Sequence, residues 1–384
     1  MGDISLSKAV RSNLLSLQNT SAMMGKTQDR LATGNKVNSA LDNPTNFFTA
    51  SSLNSRAGDL NQLMDSMANG IQTIEAANNG LTSITKTLES MQSTLRQARQ
   101  DKSFQTGSFE VAKDTDAAAE PGSIKAGSIT FEGGSTGGTA TTAKTVTVAA
   151  GDTLDDVVAK INKGDVVSGV RASNDNGKLR IENLSTSELK IGATDSVTVP
   201  TDGGTIDGNS VRADLAEQYN DLRDQLDKLA DDASFNGINL LRGDKLKLTF
   251  NETGTSELDI QSRIGGTDGA TVNAATLGIE TQLQKQNLDT DSDIDGFIAN
   301  VKTALNTVRS QASAFGSSLS IVQNRQDFSK SMINTLQTGA ANLTLADMNE
   351  EAANLLALQT RQSLSSNSLS LASQADQSVL QLIR

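Results

Sequence analysis

The sequence predicts a mainly α protein with a β-containing insertion, in which long heptad-patterned helices from both ends of the chain form a coiled-coil rod. Three observations predict it. Apolar residues recur every seven positions over long stretches near both termini. Glycine is sparse from residue 288 onward, with three (Gly296, Gly316, Gly339), and dense between 107 and 208, with fifteen. That middle part is also rich in Thr and Val and holds Pro121 and Pro200, whereas the ends are rich in Leu, Ala, Gln, Asn and Ser. The first composition suits short strands and turns, the second helices.

Val10, Leu17, Met24 and Leu31 open the rhythm, with Leu14, Ser21 and Gln28 at the companion positions. Pro44 suits the first turn of a helix, where its missing N–H costs nothing, and so marks a joint. Beyond it the rhythm resumes in a new phase as Leu53, Leu60, Met67, Ile74, Leu81, Leu88 and Leu95. Ala57, Met64 and Ile71 support the first half of that line, while Asn78, Thr85 and Gln92 weaken the second. Near the other end Val301, Val308, Phe315, Val322, Leu336 and Leu343 keep one line, broken at Ser329. Leu305, Ala312, Leu319, Ile333 and Ala340 keep its companion, broken at Gln326. A period of 3.5 sustained so long is the mark of packed helices. At 1.5 Å per residue, 45–100 would span roughly 84 Å and 297–343 roughly 70 Å. Leu215, Tyr219, Leu222, Leu226 and Leu229 predict a shorter helix.

In the insertion, Lys144–Val148 alternates like a strand and Asp152–Ile161 reads as a short acid-capped helix. Gly169–Ala172 and Lys178–Glu182 predict a strand pair turned at Asn176-Gly177. A further β element joins Lys245–Phe250 to Glu257–Ile260.

The two arms are energetically thin. Each buried Leu contributes about 1.5–3 kcal/mol, against about 1–2 kcal/mol to fix each residue's backbone. The few anchors in residues 4–33 cannot order that segment alone. At the C-terminal end Leu364, Leu371, Ala375, Val379 and Leu382 line one side, but Leu369, Leu380 and Ile383 point elsewhere. A helix apolar on several sides requires several neighbours. Both arms are therefore expected to be largely disordered in the free monomer and to fold on assembly.

Composition excludes much chemistry. The 384 residues hold no His, Cys or Trp, so zinc sites of the usual kinds, His-activated nucleophiles, haem or iron–sulfur ligation and disulfides are all out of reach. A net charge of −12 argues against nucleic acid as a partner. No stretch has the length of apolar sequence that spans a membrane, and residues 1–8 lack the basic and apolar regions of a cleaved Sec signal. Asp291, Asp293, Asp295 and Gly296 match part of a calcium loop, but Lys302 stands where the bidentate Glu belongs, and the acids read instead as complementing the start of a helix near Ile294. The glycines at 133–138 lack a phosphate loop's Lys and read as a flexible turn. The acid pairs Asp155-Asp156, Asp231-Asp232 and Glu350-Glu351 read as solvated faces. No catalytic, cofactor-binding or metal residue is expected.

Several segments resemble bacterial flagellin. Residues 30–42, Arg-Leu-Ala-Thr-Gly-Asn-Lys-Val-Asn-Ser-Ala-Leu-Asp, are similar to its N-terminal signature. Phe235-Asn236-Gly237 with Leu240-Leu241 resembles its Phe-Asn-Gly element, and the tail from Leu371 resembles its C-terminal ending. Residues 144–192 look like a small insertion motif of flagellin outer domains, and Asp42–Phe47 and Leu345–Glu351 look like the alphaproteobacterial branch. The resemblance implies terminal coiled-coil arms at 1–43 and 341–384, forming the inner layer of a filament. It implies a helical rod domain at 44–107 and 209–340, with a β-hairpin near 235–262, and an outer α+β domain at 108–208.

It also implies a structural subunit, not an enzyme, that polymerises with itself into the extracellular flagellar filament used for swimming. Implied partners are the hook-associated junction and cap proteins, the flagellar export apparatus, and an export chaperone on the C-terminal arm. Vertebrate receptor recognition should be weak or absent, because Glu89–Leu95 lacks the arginines of the recognised motif. Val10, Leu14, Leu17, Met24, Leu31 and the C-terminal line are the residues expected to pack in the polymer core. A hook–filament junction protein is the nearest alternative, distinguished by seeded growth of long filaments. A glycan-binding adhesin carried by 108–208 is a further one; that segment offers no aromatic platform for sugars.

Overall fold

Pro44 stands at the first turn of a 57-residue helix, capped by Asn43, whose side-chain oxygen accepts the Asn46 N–H at 3.1 Å. The computed structural model describes residues 8–115, 122–133, 143–164, 168–198, 204–279 and 281–382. The helices are α1 (Lys8–Thr33), α2 (Pro44–Gln100), α3 (Leu154–Asn162), α4 (Ser210–Asp232), α5 (Asp291–Thr344) and α6 (Met348–Leu382). The longer strands are β1 (Gln105–Val111), β2 (Gly127–Gly133), β3 (Lys144–Val148), β4 (Val170–Asp175), β5 (Lys178–Asn183) and β6 (Leu189–Thr194). Shorter ones are β7 (Val197–Thr198), β8 (Gly204–Ile206), β9 (Leu246–Thr249), β10 (Glu257–Ile260), β11 (Arg263–Ile264) and β12 (Thr267–Asp268). The fold class is mainly α with a β-containing central region.

The chain divides into two units. One holds residues 1–68, 249–257 and 323–384; the other holds 69–248 and 258–322.

In the first unit, Leu53, Ala57 and Leu60 of α2 pack against Ile333 and Leu336 of α5, closed by Met64 and Met332. Asn46 donates to the Leu343 carbonyl at 3.4 Å, so the two helix segments run antiparallel. Arg56 is paired with Glu252 at 2.5 Å, and the Arg325 guanidinium lies 5.6 Å from the centre of the Phe250 ring.

In the second unit, ion pairs Glu89–Arg309 (3.1 Å) and Arg99–Asp295 (2.9 Å) set α2 and α5 antiparallel. Ile74, Leu81, Leu88 and Leu95 are buried, as is Met67 in the first unit. The companion line differs from the heptad expectation. Asn78, Thr85 and Gln92 are only half-buried, and the buried companions are Ala77, Ile84, Met91 and Ala98, one residue earlier. Two successive steps of three, Ile71–Ile74–Ala77, shift the phase there, the kind of stammer that overwinds a helix locally. On α5, Val301, Leu305, Val308, Phe315 and Val322 are buried and Leu319 half-buried.

Helix α5 begins at Asp291, three residues before the expected start. Thr290 caps it, accepting the Asp293 N–H at 3.1 Å, and Asp291 and Asp293 occupy the first turn. The acidic run is therefore helix and not a calcium loop. Among the described residues no cluster of three or more potential metal ligands occurs. The glycines at 134–138 lie outside the described residues.

Helix α4 leads into the Phe-Asn-Gly element. Phe235 and Ile238 exchange backbone hydrogen bonds of 3.0 Å across Asn236 and Gly237, both at positive φ, as a type I′ turn requires. Asn239 then ties both sides together. Its amide donates to the carbonyls of Ala230 and Asp231 at 2.8 and 2.9 Å, while its oxygen accepts from the N–H groups of Leu241 and Arg242. Gly80 of α2 faces this element. A Cβ there would lie 2.6 Å from the Ala233 Cβ, so α2 lies against the end of α4 closely enough to exclude a side chain.

The insertion is two antiparallel sheets, ordered β4-β5-β1-β7 and β3-β2-β6-β8. They share one core with α3, built from Phe109, Ile129, Phe131, Val146, Val157, Ile161, Leu179, Ile181 and Ile191 among others. The turn between β4 and β5 is again type I′, with Asn176 and Gly177 at φ 53° and 84°. Thr153, not Asp152, caps α3, and Asp156 completes a capping box.

A buried polar node joins the insertion to the helices of its unit. Arg212, fully buried in the first turn of α4, donates to the carbonyls of Leu288 and Asp289 at 2.8 Å and of Asp101 at 3.1 Å, and pairs with Asp291 at 3.0 Å. The Phe104 ring lies 5.2 Å from its guanidinium carbon. Asp289 accepts from Ser185 and twice from Thr186, at 2.8–3.0 Å, and Asn209 donates to Asp101 at 2.7 Å.

Removing the guanidinium strands three carbonyls, each costing about 1–3 kcal/mol when buried and unpaired. Arg212→Met should therefore lower stability by at least about 2 kcal/mol in urea unfolding, with Arg212→Lys recovering only part.

Two carboxylates at this node are held below the usual aspartate range. For Asp291 the Lys102 hydrogen bond is the main cause, opposed by burial and aided by Arg212. For Asp101 burial pushes upward but is outweighed by hydrogen bonds from Asn209 and Ser103 and by the Arg212 charge. The stability they contribute is present above the unfolded carboxylate value near pH 4 and is lost as pH falls through their lowered values. Asp291→Asn should accordingly flatten the fall of thermal stability below about pH 4 and leave its slope unchanged between pH 6 and 8.

Candidate functional site

The two terminal helices form an antiparallel pair within the first unit. Residues 30–42 and 344–351 lock its closed end. Helix α1 stops at Gly34, whose φ of +72° allows the chain to turn out while its N–H still reaches the Arg30 carbonyl at 2.8 Å. The Gly34 carbonyl accepts from Ala346 at 2.9 Å, and the N–H groups of Lys36 and Val37 both reach the Thr344 carbonyl. Arg30 pairs with the buried Glu351 at 3.1 Å. Asp42 folds the loop by accepting from the N–H groups of Asn38 and Ser39, contacts that hold its carboxyl below the ordinary aspartate value. Asp347 caps α6, accepting the Asn349 and Glu350 N–H groups. The signature at 30–42 is thus a hydrogen-bonded clasp between the end of α1 and the start of α6.

Along the pair, the least exposed positions alternate by three and four. On α1 they are Val10, Asn13, Leu17, Thr20, Met24, Thr27 and Leu31. On α6 they are Glu351, Leu355, Leu358, Gln362, Ser365, Leu369 and Ala372. Five of these fourteen are Asn, Thr, Gln or Ser, so the seam is only partly apolar. The companion line of α1 is Asn13, Thr20 and Thr27, not Leu14, Ser21 and Gln28. The threonines fit because their hydroxyls can bond within the helix, as Thr20 does to the Ser16 carbonyl at 2.8 Å.

The expected C-terminal line falls elsewhere. Leu364 and Leu371 are 64 % and 66 % exposed, Ala375 is exposed, and Leu356 joins them at 67 %. All lie on the side of α6 turned away from the seam. Leu369, expected to point elsewhere, is the one that faces the seam. The side chains of Val379, Leu380 and Leu382 lie outside the described residues, as does Ile383. On α1, Leu14 is 38 % and Leu15 60 % exposed, with Met23 also outward. Helix α6 is therefore apolar on two opposite sides, only one of which is covered. The heptad reading marks neither Leu356 nor the Thr20–Thr27 seam; alternating steps of three and four from Val10 reach Thr20 and Thr27, but from Leu364 or Leu371 they do not reach Leu356.

Among the described residues no helix is long and apolar enough to cross a membrane. The site holds no constellation of reacting groups. What it presents is an uncovered apolar helix face.

Comparison with known proteins agrees with this. Residues 4–117 match the bacterial flagellin N-terminal helical region, 128–185 the flagellin hook IN motif, and 298–383 the bacterial flagellin C-terminal helical region. The chain is 24 % identical to flagellin FljM of Caulobacter vibrioides over 374 residues, covering 97 % of this chain and 96 % of that one. Flagellin FljK of the same organism is 24 % identical over 378 residues, 97 % of this chain and 94 % of its own. Flagellin A of Rhizobium meliloti is 40 % identical over 91 residues, 24 % of this chain and 23 % of its own. With matches at both ends and in the middle, and similarity along nearly its whole length to flagellins of the alphaproteobacterial branch, the chain belongs to the bacterial flagellin family, structural filament subunits and not enzymes.

Proposed function

We propose that copies of this chain polymerise into the extracellular helical filament of the flagellum and serve swimming as its structural material. The observation that carries this reading is the second apolar face of α6. Leu356, Leu364 and Leu371 are each about two-thirds exposed, and covering them would contribute roughly 3–6 kcal/mol per copy. Their own chain supplies one partner helix, and α1 is already engaged on the other side. Neighbouring copies supply the rest. A contact between unlike faces of identical molecules that does not close on itself propagates as an open helix.

In this reading 1–43 and 341–384 form the inner arms, 44–107 and 209–340 the next layer, and 108–208 the surface facing the medium. The arms order on assembly, since their shared seam is too polar to hold them strongly alone. Export as an unfolded chain suits a sequence with no cysteine to cross-link. Junction and cap proteins, the export apparatus and a chaperone for the C-terminal arm complete the set of partners. The segment 89–95 contains no arginine, which supports weak recognition by the vertebrate receptor.

The double variant Leu364→Asp/Leu371→Asp tests the assembly face. Both side chains are exposed in the single chain, so the monomer should keep its melting temperature within about 2 °C while elongation from wild-type seeds is lost. Long filaments from the variant at wild-type concentrations would contradict the reading. Wild-type protein that caps seeds without lengthening them would favour a hook–filament junction role instead.

A further inference from the structure

Beside the seam, α1 and α6 enclose a cleft of about 420 Å³ lined by Met23, Lys26, Thr27, Arg30, Glu351, Asn354, Ala357, Leu358 and Arg361. Its charged residues are three cations and one carboxylate, a net of +2. Glu351 is taken by Arg30. Lys26 and Arg361 are exposed and have no ion-pair partner among the described residues. The whole chain carries −12, so the remainder outside the cleft carries −12 − 2 = −14. A cationic cleft is thus set into an otherwise acidic molecule, next to the apolar face that awaits a neighbour.

We infer that this cleft takes carboxylate side chains of a second copy of the chain, an inference that rests on the self-assembly reading and gives that contact its electrostatic part. Complementarity of charge identifies the occupant. A second copy brings a chain of net −12 to a pocket of net +2, and its first unit exposes Asp59, Asp65 and Asp327 without an ion-pair partner among the described residues. The half-buried Leu358 lines one side of the cleft and lowers the polarity there, which strengthens an ion pair formed beside it relative to one on open surface. Leucine burial is indifferent to the register of two copies along α6. A carboxylate that must meet Lys26 and Arg361 together admits few registers, so the cleft selects among the packings that the apolar face allows.

The test compares the critical concentration for polymerisation of wild type, Lys26→Met/Arg361→Met and Lys26→Glu/Arg361→Glu. Circular dichroism of each monomer provides the folding control, and both positions are exposed and unpaired. The neutral variant should raise the critical concentration about threefold and the reversed one at least tenfold at low salt. In 1 M NaCl, where the screening length is about 3 Å, the three should converge. Equal critical concentrations at low salt, or a difference that 1 M NaCl leaves intact, would overturn the assignment and leave the cleft to another partner. Wild-type protein that forms no polymer would remove the self-assembly reading itself, which keeps the two failures distinct.

Discussion

A helix that is apolar on two opposite sides cannot be satisfied by one partner. Helix α6 has this property, and much of the molecule's organisation is intelligible as a consequence. Its inner side meets α1 along a seam that mixes Leu17, Leu355, Leu358 and Leu369 with Asn13, Thr20, Thr27, Gln362 and Ser365. Its outer side presents Leu356, Leu364 and Leu371 to solvent. Each side of α6 carries three leucines, and only the inner three are covered within the chain. An uncovered leucine row of that size leaves the helix short of one partner, the role proposed here for a neighbouring copy.

The clasp at 30–42 and 344–351 has its meaning within that arrangement. A weak seam would let two helices slide, and register matters when an outer face must align with a neighbour. Backbone hydrogen bonds from Lys36, Val37 and Ala346, the Arg30–Glu351 pair and the caps at Gly34 and Asp347 hold one end of the pair in register. These contacts act at short range and depend little on how much apolar surface is buried. The node around Arg212 plays a comparable part in the other unit, where three backbone carbonyls and Asp291 converge on one guanidinium. In both places a polar device fixes geometry where apolar packing alone would leave it loose.

Much of this was legible in the residues. Period 3.5 located α2 and α5 because their cores are long, nearly unbroken apolar lines, and Pro44 and Asn176-Gly177 announced a helix start and a turn through backbone chemistry that few other residues satisfy. The companion lines were less legible. A strict seven-residue frame anchored on Leu14 or Met64 misses a step of three, so Thr20, Thr27, Ala77, Ile84 and Met91 were invisible to it. The outward side of Leu364 and Leu371 was hidden for a different reason: a leucine line looks the same whether its partner lies in the same chain or in another. Arg212 and Asp289 gave no signal, since their partners are carbonyls and hydroxyls far away in sequence. The two sheets of the insertion were only partly foreseen, because β1, β2 and β6 pair across long separations that a local reading does not reach.

The central claim is that the outer face of α6 is covered by other copies of the chain. A cryo-electron microscopy map of the polymer, at a resolution that shows side chains, tests it most directly. The account predicts that Leu356, Leu364 and Leu371 each lie within about 4.5 Å of apolar atoms from a neighbouring subunit. A filament in which these three leucines remain in contact with solvent would contradict it.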